Sequence, residues 1–154
     1  MKTTAVNVGI DVKVDPETAF SIFTDEISLW WRRGTRYWAD AERGKTVRFE
    51  PGIGGRLLEV YDLDTGDGLE HGKITAWEPG NLLRFTWHQS DWPDGVDTEV
   101  EVSFIPTAEG TRVELSHGGW ELVPTAGVEE AYQQGWVDLL GFYSEHVEHE
   151  RSST

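Results

Sequence analysis

The sequence contains no cysteine among its 154 residues. Disulfide bridges, catalytic thiolates and cysteine-based zinc sites are therefore excluded. The sequence also lacks an apolar run long enough for a secretory signal or a membrane-spanning helix. We therefore expect a cytoplasmic protein that has no membrane partner.

Positive charge is scarce, since 13 Lys and Arg residues stand against 28 Asp and Glu residues and give a net charge of −15. Nucleic-acid phosphates would be repelled by such a chain, and no basic tract compensates. We expect no nucleic-acid partner. P-loop, HExxH, nucleophile-elbow and dinucleotide fingerprints are also missing, so the sequence gives no indication of a cofactor or a metal.

Aromatic residues, in contrast, are abundant: the chain has 8 Trp, 6 Phe and 4 Tyr. The stretch "ISLWWRRGTRYW", residues 27–38, alone holds three of the tryptophans. Aromatic rings bury large areas, and each indole also brings an N–H donor that needs a partner. Such enrichment fits a packed core and a large concave binding site equally well.

The first part of the chain predicts one strand followed by two short helices. Residues 4–14 alternate between apolar and polar side chains, which is typical of a strand. Asp15, Pro16 and Glu17 then predict a helix start, with Asp15 as the N-cap. Thr24-Asp25-Glu26 predicts a second cap and hence a second short helix.

The rest of the chain predicts six short strands and one long helix. Turn residues separate the strands between residues 45 and 117, as in an antiparallel meander. Residues 127–150 then return to a helical period with one apolar stripe, which must be buried against the sheet. We expect a single α+β domain over residues 1–150 and a flexible tail at residues 151–154.

Four stretches, taken together and in this order, resemble a known family. They are "DPETAFSIFTDEISLWW" (15–31), the segment 54–87 that runs from "GGRLLEV" to "RFTW", "EGTRVELSHGGW" (109–120) and "AYQQGWVDLLGFY" (131–143). They are similar to the START-like (SRPBCC) superfamily, and specifically to its heat-shock-protein-90 ATPase activator homologue-like branch. The resemblance implies a helix-grip fold, in which a curved antiparallel sheet of about seven strands wraps around the long C-terminal helix and leaves a cavity. It implies less about function, because one fold hosts many activities.

Strand and helix periodicity suggests which side chains reach that cavity. Trp30 and Trp31 are adjacent, so on a helix they point about 100° apart, one into the core and one to the cavity mouth. Arg33 and Arg36 at the entrance would either attract an anionic group or pair with surface carboxylates. The predicted ligand-binding residues are Trp30, Trp31, Phe49, Phe85, Trp87, His117, Trp120, Trp136, Leu140, Arg33 and Arg36.

Two titratable residues allow further interpretations. His117 shares a strand face with Val113 and Leu115, where it would either contact a ligand, act as an acid or base, or be satisfied internally. Glu59 lies in "RLLEVYD", either face of which could point inward. If Glu59 is buried, we expect a raised pKa and a candidate general base.

The leading functional hypothesis is a binding protein for a small hydrophobic, aromatic molecule, without catalytic residues and compatible with a homodimer. One alternative resembles the cyclases and dehydratases of the superfamily, with His117 and Glu59 as acid–base groups. The other is a chaperone-interacting regulatory module that docks through an exposed Trp38 surface.

Overall fold

The computed structural model describes residues 5–32, 37–89, 92–124 and 127–152. In these ranges it confirms the α+β fold, with one seven-stranded antiparallel sheet and a long C-terminal helix. The elements in chain order are β1 (Val6–Val12), α1 (Pro16–Asp25), α2 (Ile27–Trp30), β2 (Thr46–Phe49), β3 (Arg56–Val60), β4 (Gly68–Glu78), β5 (Leu82–Trp87), β6 (Thr98–Pro106), β7 (Thr111–Gly118), a 3₁₀ turn (Trp120–Leu122) and α3 (Val128–Ser152).

The sheet curls around α3 as a half-barrel with the strand order β1-β7-β6-β5-β4-β3-β2. Strands β2 to β7 follow one another as hairpins, and β1 adds to the far edge beside β7, where Val6 lies opposite His117. Helices α1 and α2 form the connection from β1 to β2. Both edges of the sheet therefore belong to strands that flank the two short helices.

The start of α1 is capped as the sequence predicts. The Asp15 carboxylate accepts hydrogen bonds from the Thr18 backbone N–H at 3.4 Å and from the Thr18 hydroxyl at 2.5 Å. The second predicted cap is wrong, because α2 has no side-chain cap bond among the described residues. Thr24 is buried in the last turn of α1, and its hydroxyl donates to the Phe20 carbonyl at 2.9 Å instead.

Helix α3 carries the apolar stripe that the sequence predicts. The Tyr143 hydroxyl donates to the Ala19 carbonyl at 2.8 Å and so ties α3 to α1. The helix includes Arg151 and Ser152, two residues of the predicted tail. No helix in the described ranges is long and apolar enough to cross a membrane. The buried residues of α3 are Gly135, Trp136, Leu139, Leu140, Tyr143 and Val147.

Aromatic rings fill the space between sheet and helix around Tyr143. Phe23 is in ring contact with Trp30, Phe104 and Tyr143, with ring centroids 5.0 to 6.0 Å apart. Each of these side chains is almost fully buried. This packing fills the space beside the C-terminal half of α3, and a cavity lies beside its N-terminal half.

Candidate functional site

A cavity of about 540 Å³ lies between the N-terminal half of α3, the sheet and the segment that follows α2. Its volume is within the usual range for small-molecule sites. Three groups of residues form its walls: residues that follow α2, residues of β4, β5 and the loop after β5, and one face of α3. They are Trp31, Tyr37, Trp38, Ala39, His71, Trp87, Gln89, Ala131, Tyr132, Gln134, Gly135, Trp136 and Leu139.

Trp87 at the end of β5 is the centre of the aromatic wall. The His71 ring stacks on its indole with centroids 4.5 Å apart and planes within 5°. Trp31 also stacks on Trp87, with centroids at 6.1 Å, and meets Trp136 edge to face at 6.0 Å. These ring faces form a wall suited to a flat apolar molecule.

A hydrogen-bond chain fixes the orientation of Trp87. Its Nε1 donates to the Tyr132 hydroxyl at 2.8 Å, and that hydroxyl in turn donates to the Gln89 side-chain carbonyl. Tyr132 lies on α3 and Gln89 follows β5, so the chain joins two sides of the cavity. The wall is therefore held by polar contacts as well as by packing.

Two buried polar atoms of the wall lack a hydrogen-bond partner among the residues that the structure describes. They are Nε1 of Trp31 and Nδ1 of His71, in side chains that are 3% and 4% exposed. Leaving such a group unpaired costs about 1–3 kcal/mol.

Glu59 holds His71 from behind the cavity wall. Its fully buried carboxylate accepts hydrogen bonds from the backbone N–H groups of Ala39 and Asp40 and from the Tyr61 hydroxyl, each at 2.8 Å. It also contacts Nε2 of His71 at 3.1 Å. Burial raises the pKa of Glu59, but these four hydrogen bonds outweigh burial and lower the pKa to about 2. The expectation of a raised pKa was wrong, since an anionic carboxylate with four donors is not a general base.

A β-bulge turns His71 towards the cavity. Glu70 and Gly72 pair with consecutive residues of β3, so His71 is an extra residue in β4. Strict alternation would instead have grouped His71 with the exposed Lys73. A Cβ at position 72 would lie 1.7 Å from the Thr86 carbonyl oxygen, so this close approach requires glycine. The pair "HG" is the only sequence signal for the bulge, and His71 is therefore absent from the residues that periodicity predicts for the site.

Of the predicted ligand-binding residues, the structure places Trp31, Trp87 and Trp136 in the cavity wall. Arg33 and Arg36 lie outside the described residues. The other aromatic and aliphatic candidates pack inside the core instead, because neighbouring rings fill the space that they face: Phe49 and Phe85, for example, contact each other with centroids 5.3 Å apart. These buried residues outside the cavity wall are Trp30, Phe49, Phe85, Trp120 and Leu140.

His117 lies behind the cavity wall and does not line it. Its Nδ1 accepts a hydrogen bond from Nε1 of Trp136 at 3.0 Å. Its Nε2 contacts the Thr98 hydroxyl oxygen at 2.7 Å, and that hydroxyl donates to the Trp87 carbonyl at 2.9 Å, so Nε2 carries the hydrogen. Burial lowers the pKa of His117 to about 3. His117 is therefore a neutral residue that positions Trp136, and both of its nitrogens are occupied.

Trp38 is buried, with 6% of its surface exposed. Its Nε1 donates to the Arg32 carbonyl at 2.7 Å, and its ring lines the cavity. The docking hypothesis expected an exposed Trp38, and this expectation was wrong. The segment after α2 turns its aromatic side chain inward because the cavity offers an apolar surface to cover.

One cluster of potential metal ligands lies outside the cavity, formed by Glu26, His146 and Glu150 within 4.8 Å of one another. His146 Nε2 lies 2.8 Å from the Glu26 carboxylate and 3.6 Å from that of Glu150. The first contact joins α3 to the junction of α1 and α2, which gives the cluster a role in packing.

Solved structures of similar fold cover almost the whole chain. Protein MLL2253 from Mesorhizobium loti is 19% identical with a TM-score of 0.70, and the match covers 94% of this chain and 97% of that one. The solution structure of the Aha1 dimer from Colwellia psychrerythraea is 19% identical with a TM-score of 0.66, covering 95% and 97%. DynU16, described as a putative protein in the dynemicin biosynthetic locus, is 19% identical with a TM-score of 0.67, covering 95% of this chain and 48% of DynU16. At this identity the likeness shows the fold.

A comparison with curated proteins finds no match. The family described as "Activator of Hsp90 ATPase homolog 1-like protein" matches residues 13–142, which include both short helices, β2 to β7 and most of α3. This match agrees with the resemblance that the sequence motifs show. The chain belongs to the Activator of Hsp90 ATPase homolog 1-like family.

Proposed function

We propose that the protein binds a small, largely apolar aromatic molecule in the cavity beside the N-terminal half of α3. The observation that carries this proposal is the wall formed by the ring faces and edges of Trp31, Trp87 and Trp136 around a volume of about 540 Å³. Flat aromatic ligands gain both buried area and ring contacts from such a wall.

The glycine at position 135 supports the same function. Gly135 lies inside α3 and lines the cavity, although glycine in a helix interior costs about 1 kcal/mol relative to alanine. A Cβ there would lie 3.5 Å from the Tyr37 ring, an ordinary contact, so alanine fits. Larger side chains would occupy the cavity or displace Tyr37. The missing side chain thus preserves the empty volume at a cost to the helix.

The similarity to DynU16, a putative protein in a biosynthetic locus, agrees with a small-molecule ligand. It supports the proposal only through the shared fold, because the two chains are 19% identical. The geometry of the cavity therefore remains the main support.

A cavity-filling variant tests the proposal. Gly135→Leu places an isobutyl group in the cavity, and the gain in helix propensity favours folding. Gly141→Leu is the matched control: it makes the same change six residues later in α3, where a Cβ meets no described atom within 4 Å and no cavity wall is involved. Native mass spectrometry of the purified proteins detects a co-purified molecule, and 2-acetylnaphthalene serves as a neutral aromatic probe whose binding is titrated by calorimetry.

We expect the wild-type protein and Gly141→Leu to bind the probe, and Gly135→Leu to lose it while unfolding at a similar temperature. Equal probe binding by all three proteins, or none by the wild type together with no co-purified molecule, would contradict the proposal. The same spectra give the assembly state, which is informative because the similar Colwellia protein is a dimer.

A further inference from the structure

We propose that the ligand is a neutral aromatic molecule with a hydrogen-bond donor, such as a hydroxyl group, for Nδ1 of His71 and a hydrogen-bond acceptor for Nε1–H of Trp31. This inference rests on the proposed function and specifies the chemistry that the cavity selects. It follows from the arrangement of Glu59, His71 and Trp31.

For the neutral form of the His71 imidazole, the hydrogen bonds around Glu59 determine which nitrogen carries the hydrogen. Two of the carboxylate's partners are the backbone N–H groups of Ala39 and Asp40, which can only donate. The carboxylate is ionised and accepts, so Nε2 of His71 at 3.1 Å is the donor in the fourth contact. In a neutral imidazole the other nitrogen, Nδ1, is then a hydrogen-bond acceptor.

The His71 ring has little freedom to bring Nδ1 to another partner. The Glu59 contact fixes one edge of the ring, and the stack on Trp87 at 4.5 Å fixes its plane. The residue is 4% exposed, and Nδ1 has no partner among the described residues. Nδ1 is also closed to solvent, so a ligand hydroxyl or N–H would reach it by displacing a neighbouring wall side chain, and it would then meet an acceptor that is already oriented.

Trp31 adds the complementary requirement. Its indole nitrogen can only donate, and this nitrogen is the second unpartnered buried atom in the described part of the wall. Trp31 and His71 both pack against Trp87, so a molecule lying on this wall is near both. A carbonyl or ether oxygen on the ligand would accept the Trp31 hydrogen.

The charge of Glu59 argues for a neutral ligand. The carboxylate is buried, and its described partners are one imidazole, one hydroxyl and two backbone amides, none of which is a permanent cation. An anionic group beside His71 would face this negative charge at low dielectric, where repulsion is strong. A phenol fits the site better than a carboxylate.

Three probes separate the effect of the donor from the effect of size. They are 2-acetyl-6-hydroxynaphthalene, 2-acetyl-6-methoxynaphthalene and 2-acetylnaphthalene, which share the ketone acceptor and differ in the donor and in bulk. The test variant is His71→Gln, because a glutamine amide can still donate to Glu59 but offers no atom at the position of Nδ1. His149→Gln is the control, since His149 is exposed near the end of α3.

We expect the wild-type protein and His149→Gln to bind the hydroxyl probe about tenfold more tightly than the other two, because one buried hydrogen bond distinguishes them. His71→Gln should bind all three with similar affinity. Equal affinities in the wild type, or an undiminished hydroxyl preference in His71→Gln, would overturn this inference while leaving the proposed function intact. If no probe binds the wild type, the proposed function fails and this inference fails with it.

Discussion

The indole of Trp136 donates its hydrogen to Nδ1 of His117 across 3.0 Å, and this bond joins a cavity wall to a buried titratable group. The second nitrogen of His117 is bonded to Thr98. Protonation of Nδ1 would remove the acceptor that Trp136 uses and would place a positive charge among apolar side chains. The wall is therefore intact only while His117 is neutral.

The first prediction concerns the pH dependence of stability. Burial lowers the pKa of His117 from 6.5 to about 3 in the folded protein, while the unfolded chain titrates near 6.5. Between these values the unfolded state binds more protons, so the free energy of unfolding decreases as the pH falls below 6.5. The slope from this residue is at most about 1.4 kcal/mol per pH unit. Urea unfolding at several pH values between 7.5 and 4.5 measures it.

His117→Asn isolates this contribution, because the asparagine oxygen can accept the Trp136 hydrogen and does not titrate. We expect the variant to be less stable at pH 7 and its stability to depend less on pH. His149→Asn removes an exposed histidine and should leave the slope unchanged. A slope in His117→Asn as steep as that of the wild type would show that another group is responsible.

The second prediction concerns the Glu59 carboxylate. Because its pKa is lowered from 4.5 to about 2, Glu59 stabilises the fold fully above pH 4.5 and loses this contribution as the pH falls towards 2. Tyr61→Phe removes one of its four hydrogen bonds, the one at 2.8 Å from the Tyr61 hydroxyl. We expect a loss of about 1–3 kcal/mol at pH 7 that shrinks as the pH drops from 4.5 to 2. Urea unfolding of the wild type and of Tyr61→Phe at pH 7 and at pH 3 measures the loss of stability at each pH.

Glu59→Gln tests the same carboxylate more severely. The amide hydrogens would face the backbone N–H groups of Ala39 or Asp40, so we expect a larger loss at pH 7 than in Tyr61→Phe. Glu42→Gln, at an exposed carboxylate, should change stability by less than about 0.5 kcal/mol. A Tyr61→Phe effect that stays the same at pH 7 and pH 3 would mean that packing, and not the carboxylate, accounts for the loss.

The third prediction concerns the hydrogen bond that orients Trp87. Tyr132→Phe removes the hydroxyl that accepts the Trp87 hydrogen at 2.8 Å and leaves that buried donor without this acceptor. We expect a loss of about 1–3 kcal/mol in stability and a severalfold weaker affinity for 2-acetylnaphthalene. Denaturant unfolding and probe titration measure the two effects. A variant that loses stability but binds the probe as the wild type does would show that Trp87 keeps its position by packing alone.

The sequence predicts the fold because its signals repeat along the chain. Most strands have alternating side chains bounded by turn residues, and α3 shows one apolar stripe over its length. Asp15 and Pro16 mark the start of α1 correctly, since a cap depends only on neighbouring residues. The cap predicted at Thr24 was wrong because tertiary burial, which local sequence does not show, directs that hydroxyl to its own helix.

The candidate site is harder to predict, because it depends on where strands shift register and on which rings meet. Burial of Trp31, Trp87 and Trp136 follows from periodicity, but which tryptophans line a cavity and which fill the core depends on packing across the sheet. The bulge at His71 turns this one side chain to the opposite face of β4, and only the adjacent Gly72 signals the bulge in the sequence. Three of the four donors that lower the pKa of Glu59 belong to residues 12 to 20 positions away, and no local pattern indicates them.

The fourth prediction concerns the cost of keeping the cavity open. Gly135→Ala and Gly141→Ala both replace a glycine inside α3, and each should stabilise the protein by roughly 0.5–1 kcal/mol. Only Gly135 lines the cavity, so Gly135→Ala should also weaken 2-acetylnaphthalene binding, whereas Gly141→Ala should not. If Gly135→Ala raises stability and weakens probe binding, glycine at position 135 leaves space for the ligand at the expense of helix stability. If Gly135→Ala instead destabilises the protein, the added Cβ, which would lie 3.5 Å from the Tyr37 ring, is not accommodated, and glycine is needed there for packing and not for the ligand.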